Sequence, residues 1–344
     1  MGDLQFAVFG AGFWAPFQLA GWRELTGARC VAIYNRTPAK AEAVARRFGI
    51  PGVYADPEEL LDREKLDFLD IITDISSHSR FVHLAVERKL PVICQKPMSS
   101  SLAESEQMLR VCRRHRVPFY IHENWRWQGQ IREFKKVLDS GEIGTPFRAR
   151  LFLVSGYPVF NNEPALRELE EFILIDMGAH LLDVSRFLFG EADQLYCQTH
   201  RVQDIKGEDV ATVMMRMGGG TTVTCYLGFP GHFLERDAFT QTLIFVEGDK
   251  GSAELDREYW IRVTTKAGTR ARRFPPVWLP WMLPDYLASH SSIVPCNANL
   301  LRALRGEGEA ETTAEDNLKT MRLVFAAYES ARSGKVVSME ELTV

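Results

Sequence analysis

Three groups of residues in this chain have types and spacings that could carry chemistry. Gly10-Ala11-Gly12-Phe13-Trp14-Ala15 has the form G-x-G-x-x-G/A. Its two glycines allow a tight turn and a close approach of backbone to a pyrophosphate, whose charge is met by amides at a helix N-terminus. Lys96 directly follows the apolar run Val92 to Cys94 and Gln95, which places an ammonium at a strand end. Asp176 and His180 are four apart in a helical stretch, so they lie one turn apart on one face. Imidazole has the ordinary pKa suited to a base near neutrality, and a nearby carboxylate orients it and raises its basicity. Moving a hydride from a carbinol carbon to nicotinamide requires such parts: a base for the hydroxyl proton, a donor for the developing alkoxide, and alignment of the carbon with the ring. Either Lys96 or His180 takes the proton in this scheme.

The elements that must position these groups can be read from periodicity. Leu4 to Phe9 is a short apolar run ending at the glycines, and Trp14 to Leu25 continues as a helix. Strand and helix patterns then alternate. Thr37 and Pro38 stand as N-cap and first-turn residue of a helix stopped by Gly49, Asp56-Pro57 opens another, and Ser101 to Glu104 has the form of a capping box. With strands at 68–73, 92–94 and 119–122, this is an α/β, Rossmann-type doubly wound parallel sheet. Beyond it, strand-like segments at 147–155, 210–217, 221–228, 242–247, 252–256 and 259–265, with glycine-rich reversals, predict an α+β domain built on an open, mainly antiparallel meander. Helices are expected at about 131–139, 172–189 and 315–332. The expected domains are 1–123, which binds the dinucleotide, and 124–344, which binds substrate and oligomerises.

At the end of the second strand, where an acidic residue would hold the adenosine ribose, stand Asn35-Arg36-Thr37. Asn35 is neutral and Arg36 can pair with a 2′-phosphate, which tilts the expected cofactor towards NADP with NAD as the alternative. Glu123, Trp125 and Arg126 follow the sixth strand, offering an aromatic face and hydroxyl partners to a sugar, with interdomain packing as the other reading.

Gln95-Lys96-Pro97 resembles the Glu-Lys-Pro motif of the glucose-fructose oxidoreductase, inositol dehydrogenase and rhizopine-catabolism (Gfo/Idh/MocA) family, with Gln for Glu. Thr73-Asp74-Ile75-Ser76-Ser77-His78 resembles that family's Thr-Pro-Asn-x-x-His segment, keeping Thr73 and His78, and Asp176 to His180 resembles its Asp-x-x-x-His helix. The resemblance implies that Thr73, Ile75, His78, Gln95 and Lys96 join Gly10, Gly12, Phe13, Trp14, Asn35 and Arg36 in holding the cofactor. It implies Lys96, Asp176 and His180 as the catalytic set. The segments 122–128, 207–212 and 316–320 are most similar to those of D-apiose dehydrogenase-like sugar dehydrogenases, which implies oxidation of an aldose to a lactone.

Composition narrows the partners. Forty-one basic against forty-five acidic residues leave a net charge of −4, so no overall field recruits nucleic acid or an anionic membrane. Six scattered cysteines form neither a metal-ligand cluster nor a disulfide framework, and no apolar run approaches a bilayer span. A cytoplasmic homodimer or homotetramer acting on a carbohydrate is the expectation. The competing classes are a non-catalytic dinucleotide sensor and a cofactor-retaining glycosidase.

Overall fold

The computed structural model describes residues 2–230, 237 and 239–340. They form two compact units: residues up to Glu123 together with Ile293–Met321, and Asn124–Ser292 together with the residues from Arg322 on.

The first unit contains β1 (Leu4–Phe9), α1 (Ala15–Arg23), β2 (Ala28–Tyr34), α2 (Pro38–Phe48), β3 (Gly52–Tyr54), α3 (Pro57–Arg63), β4 (Phe68–Ile71), α4 (Ile75–Glu87), β5 (Val92–Gln95), α5 (Leu102–His115) and β6 (Phe119–His122). Its six strands run parallel in the order β3-β2-β1-β4-β5-β6. Every residue of β4 and β5 is buried, as befits strands covered on both faces. Asp56 accepts from the amides of Glu58 and Glu59, and Ser101 from that of Glu104, so these two helix starts are capped as their sequences require. Thr37 stands at the start of α2 without a capping side-chain bond, and Pro38 and the left-handed Gly49 alone mark that helix's ends.

The helix Ile293–Leu304 falls within the expected substrate domain 124–344, yet it packs with the first unit. Ile293, Cys296, Asn297, Leu300 and Leu301 are buried at helical spacing, and Gly21 of α1 lacks the Cβ that would meet the Ile293 side chain. An apolar helix face seeks a complementary surface, and here that surface lies far back in the chain.

The second unit has α6 (Gly129–Asp139) and a nine-stranded sheet of β7 (Pro146–Val154), β8 (Ala192–His200), β9 (Val210–Met217), β10 (Thr222–Gly228), β11 (Leu243–Gly248), β12 (Gly251–Asp256), β13 (Trp260–Thr265), β14 (Gly268–Arg273) and β15 (Val337–Ser338). The order is β14-β13-β12-β11-β7-β10-β9-β8-β15. The expected continuous meander is therefore interrupted: β7 lies between β10 and β11 and pairs parallel with β10. A parallel pair needs a long crossover, and this one contains the helix Ala179–Phe189 and the β8–β9 hairpin.

Candidate active site

The glycine loop stands at the carboxyl end of β1, where the strand order reverses between β2 and β4, the position at which open α/β sheets bind ligands. Gly10 has φ 115°, and a Cβ there would collide with the Ile72 carbonyl at the end of β4. A Cβ at Gly12 would point into open space, the vacancy a pyrophosphate lying against the backbone needs, and no side chain caps the start of α1. The residues present therefore fit a dinucleotide. Phe13 and Trp14 are half-buried at the tip, each ring against Phe17 at 5.4 and 6.1 Å between centroids. Asn35 braces the loop: its Oδ1 accepts from the Ala11 amide at 3.0 Å and its Nδ2 donates to the Thr37 carbonyl at 3.0 Å. Arg36 beside it is exposed.

Further along the same edge, Thr73 and Ile75 are half-buried after β4, and the Thr73 hydroxyl accepts from Ser77 at 2.7 Å. His78 lies inside the protein, 1% exposed. Its Nε2 faces the Thr73 carbonyl at 3.1 Å, and its Nδ1 faces the carbonyls of Pro97 at 3.1 Å and Met98 at 3.3 Å. Burial pushes its pKa down, against the pull of those carbonyls. The ring thus lies between the loop after β4 and the loop after β5, and being neutral it donates to the carbonyls on one side only. Lys96 follows β5 and is half-buried, while Gln95 turns into the core. Glu123, expected among the substrate contacts, is completely buried at the end of β6.

In the second unit the remaining candidates gather around one helix. Asp176 lies in a π-helical turn, Leu174–Gly178, that runs directly into the helix Ala179–Phe189 carrying His180. Such a widened turn is frequent at functional sites and has no signature in the four-residue spacing. His180 is 4% exposed, and its ring stacks on Trp125 with centroids 4.2 Å apart and 23° between planes. Trp125 is itself anchored, its Nε1 donating to Thr242 Oγ1 at 2.8 Å. It immobilises the imidazole rather than offering a free face to a sugar.

Arg126 is held by a buried ion pair. Its guanidinium donates through Nε and Nη2 to the two oxygens of Asp183, at 2.7 and 2.5 Å, in a pair buried on both sides. A carboxylate without exposure demands such a partner, and Arg126 supplies it.

Glu208 is the group the sequence reading left without a role. Its carboxylate accepts from the amides of Phe172 and Leu174 at 3.2 and 3.3 Å and from the Tyr328 hydroxyl at 2.8 Å. It thereby satisfies the amides that open the helix of Asp176 and His180. Burial, with the neighbouring carboxylate, pushes the Tyr328 hydroxyl's pKa up and keeps it a donor. An acidic residue flanked by turn-forming glycine and Asp209 was a visible signal, but its target lies on another element.

Residues 4–122 match the oxidoreductase family with an NAD-binding Rossmann fold, and residues 131–254 match the GFO/IDH/MocA C-terminal domain. The chain is similar to D-apiose dehydrogenase of Paraburkholderia graminis, 38% identical over 98% of this chain and 90% of that one. It is equally similar to D-apiose dehydrogenase of Rhizobium rhizogenes, 38% identical over 98% of each. An oxidoreductase from Agrobacterium radiobacter, solved in complex with NAD+, L-tartaric acid and magnesium, superposes with a TM-score of 0.96 at 37% identity and 99% coverage of both chains. Matches of this extent make the protein a nicotinamide-dependent oxidoreductase: the chain belongs to the GFO/IDH/MocA family.

Proposed function

We propose that this protein oxidises an aldose at its anomeric carbon to a lactone, with D-apiose the first substrate to try. The observation that carries the reading is the immobilised imidazole of His180, one turn from Asp176, in a chain whose other unit bears Lys96 on the same sheet edge as the glycine loop. The 38% identity to two D-apiose dehydrogenases over nearly the whole chain supports the substrate.

The bound nicotinamide supplies the hydride acceptor. Gly10, Gly12 and the first amides of α1 hold the pyrophosphate, with Phe13, Trp14, Thr73 and Ile75 along the same edge. Lys96 donates to the reacting oxygen, and the hydroxyl proton passes to His180 or to Lys96. Asp176 orients the imidazole and favours its protonated form. Arg36, exposed at the end of β2, is the group that would accept a 2′-phosphate; without one, NAD binds through the loop alone.

The test is reduction of NAD and of NADP, titrated separately, with D-apiose followed by a panel of pentoses, hexoses and polyols, the product identified by NMR. Lys96→Ala and His180→Ala are each expected to lower kcat by about 10²- to 10⁴-fold, and the variant that loses the acid limb of the pH profile, the fall in rate at low pH, identifies the base. No turnover with any sugar would overturn the reading, and release of sugar from a glycoside without net nicotinamide reduction would replace it.

Homo-oligomerisation is proposed through the open face of the nine-stranded sheet. In β9, Ala211, Val213, Met215 and Met217 are buried on one face while Met214 on the other is 47% exposed, and Phe152 and Tyr226 also lie on that outer face. A monomeric mass in solution would overturn it. No helix among the described residues is long and apolar enough to cross a membrane, and six free cysteines suit the cytoplasm.

A further inference from the structure

We propose that Lys96 is held by two positioning devices, one on each side of it in the chain: a buried relay of side chains running from Asp70 through Gln18 to Gln95, His122 and Asn297, and the ring of His78. The proposal rests on the reading of Lys96 as the group that meets the reacting oxygen.

Asp70 sits in the middle of β4, completely buried. Its two oxygens accept from Gln18 Nε2 at 2.8 and 2.9 Å, and one of them also from Trp22 Nε1 at 2.8 Å. Gln18 Oε1 accepts from Gln95 Nε2, and the same Gln95 nitrogen faces His122 Nδ1 at 3.2 Å. His122 Nε2 faces Asn297 Oδ1 at 2.8 Å. Donor and acceptor roles follow from these partners. An amide oxygen only accepts, so His122 carries its proton on Nε2, and Nδ1 of the neutral ring accepts from Gln95. Both Gln95 amide hydrogens are then used, and Gln18 must turn its nitrogen to the carboxylate. Where Asp70 is ionised, above about pH 7, its carboxylate at the end of the chain sets the orientation of every amide between. Amides neither take up nor release protons near neutrality, so the relay orients and does not conduct.

Gln95 is the last residue of β5 and Lys96 follows it directly at the strand end. A pinned Gln95 therefore fixes the direction in which Lys96 departs. Immediately after Lys96, the carbonyls of Pro97 and Met98 face His78 Nδ1, and in the tautomer with its proton on Nδ1 the neutral ring donates to them while Nε2 only packs against the Thr73 carbonyl. Lys96 lies between the two grips.

The Gln in place of the motif's Glu is part of this device. A carboxylate at position 95 could not donate to Gln18 Oε1 or His122 Nδ1, and it would compete with Asp70 for the single Gln18 amide. Around Asp70 stand the thiols of Cys30 on β2 and Cys94 on β5, both held up by burial and by the Asp70 charge, so they remain protonated. Position 95 is faced by Gln18 and by the neutral His122.

Two measurements test the proposal. The first is the pH profile of kcat and KM for NAD and D-apiose in Gln95→Met and Gln95→Glu. The second is competitive acetylation of the Lys96 amine across pH in the protein without substrate, read by mass spectrometry. Gln95→Met is expected to lower kcat by about 10- to 100-fold with KM for NAD within about twofold, the pattern of a misplaced reacting group. Gln95→Glu is expected to regain activity as pH falls, because the protonated acid can donate where the carboxylate cannot, and to shift the Lys96 acetylation curve to higher pH. If Gln95→Met is recovered unfolded, Gln18→Met cuts the relay one residue earlier with the same expectation. Wild-type kcat, profile and acetylation curve in these variants would overturn the proposal. Full turnover by Lys96→Ala would instead overturn the catalytic reading, while the acetylation curve still reports whether the lysine is held.

Discussion

The surroundings of Lys96 and those of His180 meet one requirement by different physical means. Around Lys96 the fixing groups are two glutamines and the imidazole of His122, in line with the carboxyl group of Asp70, and separately the imidazole of His78 against backbone carbonyls. Around His180 they are an aromatic stack, a buried ion pair three residues further along the helix, and a carboxylate on the opening amides. A strand end presents few free backbone groups, so a side chain there is aimed by pinning its neighbours. A helix brings unpaired amides and successive turns, so charge can act on it directly. The first design is sensitive to donor and acceptor direction, the second to loss of charge.

That difference can be broken most severely at Arg126. Arg126→Met removes the two-bond partner of the buried Asp183, leaving Arg186 at 3.9 Å, and is expected to destabilise the second unit by about 3–5 kcal/mol in denaturant unfolding. Intact stability with a raised KM for sugar would show instead that the guanidinium serves the substrate. A smaller effect is expected at the helix start. Glu208→Gln should cost about 1–3 kcal/mol and lower kcat with it, and Tyr328→Phe about 1 kcal/mol, both read from the same unfolding curves. A Glu208→Gln protein with unchanged kcat would separate helix anchoring from catalysis.

Effects that build up gradually with pH have opposite signs in the two units. Burial raises Asp70 from its ordinary 3.8 to about 7, partly offset by the bonds from Trp22 and Gln18. The folded chain binds the extra proton in that window, so this contribution to stability is complete below about pH 4 and is lost as pH rises to 7. Relative to Asp70→Asn the slope is at most about 1.4 kcal/mol per pH unit. In the second unit, burial lowers His290 to about 4, and its Nδ1 accepts from the Leu283 amide at 3.1 Å. There the unfolded chain binds more protons between about pH 4 and 6.5, so stability is lost as pH falls. Hydrogen exchange resolved by unit, from pH 4.5 to 7, should show the two protection patterns moving in opposite directions. Parallel movement would remove either the buried Asp70 charge or the neutral His290 from the account.

Much of the scaffold was legible in the chain because local rules decide it. The glycine turn, the caps at Asp56 and Ser101, and the buried strands each obey spacing over a few residues. The helix Ile293–Leu304 has an equally clear apolar face, yet the surface it needs is on α1, so its unit could not be read from its own period. Likewise β7 looked like one strand of a meander. Its insertion beside β10 depends on a crossover, which no local pattern records. Among the site residues, the spacing of Asp176 and His180 was visible, whereas the π-helical turn between them was not.

Residue type and short-range order by themselves determined that the chain builds a parallel nucleotide fold followed by an open sheet, and singled out Lys96, Asp176 and His180 as candidates for moving a proton. Tertiary structure alone decided what holds them. Arg126 meets Asp183, His78 lies among the carbonyls of two loops, and Gln95 became a donor because Gln18 and His122 present acceptors to it. Hydrogen-bond partners for buried polar groups are chosen by which elements pack together, and desolvation makes that choice binding once they do.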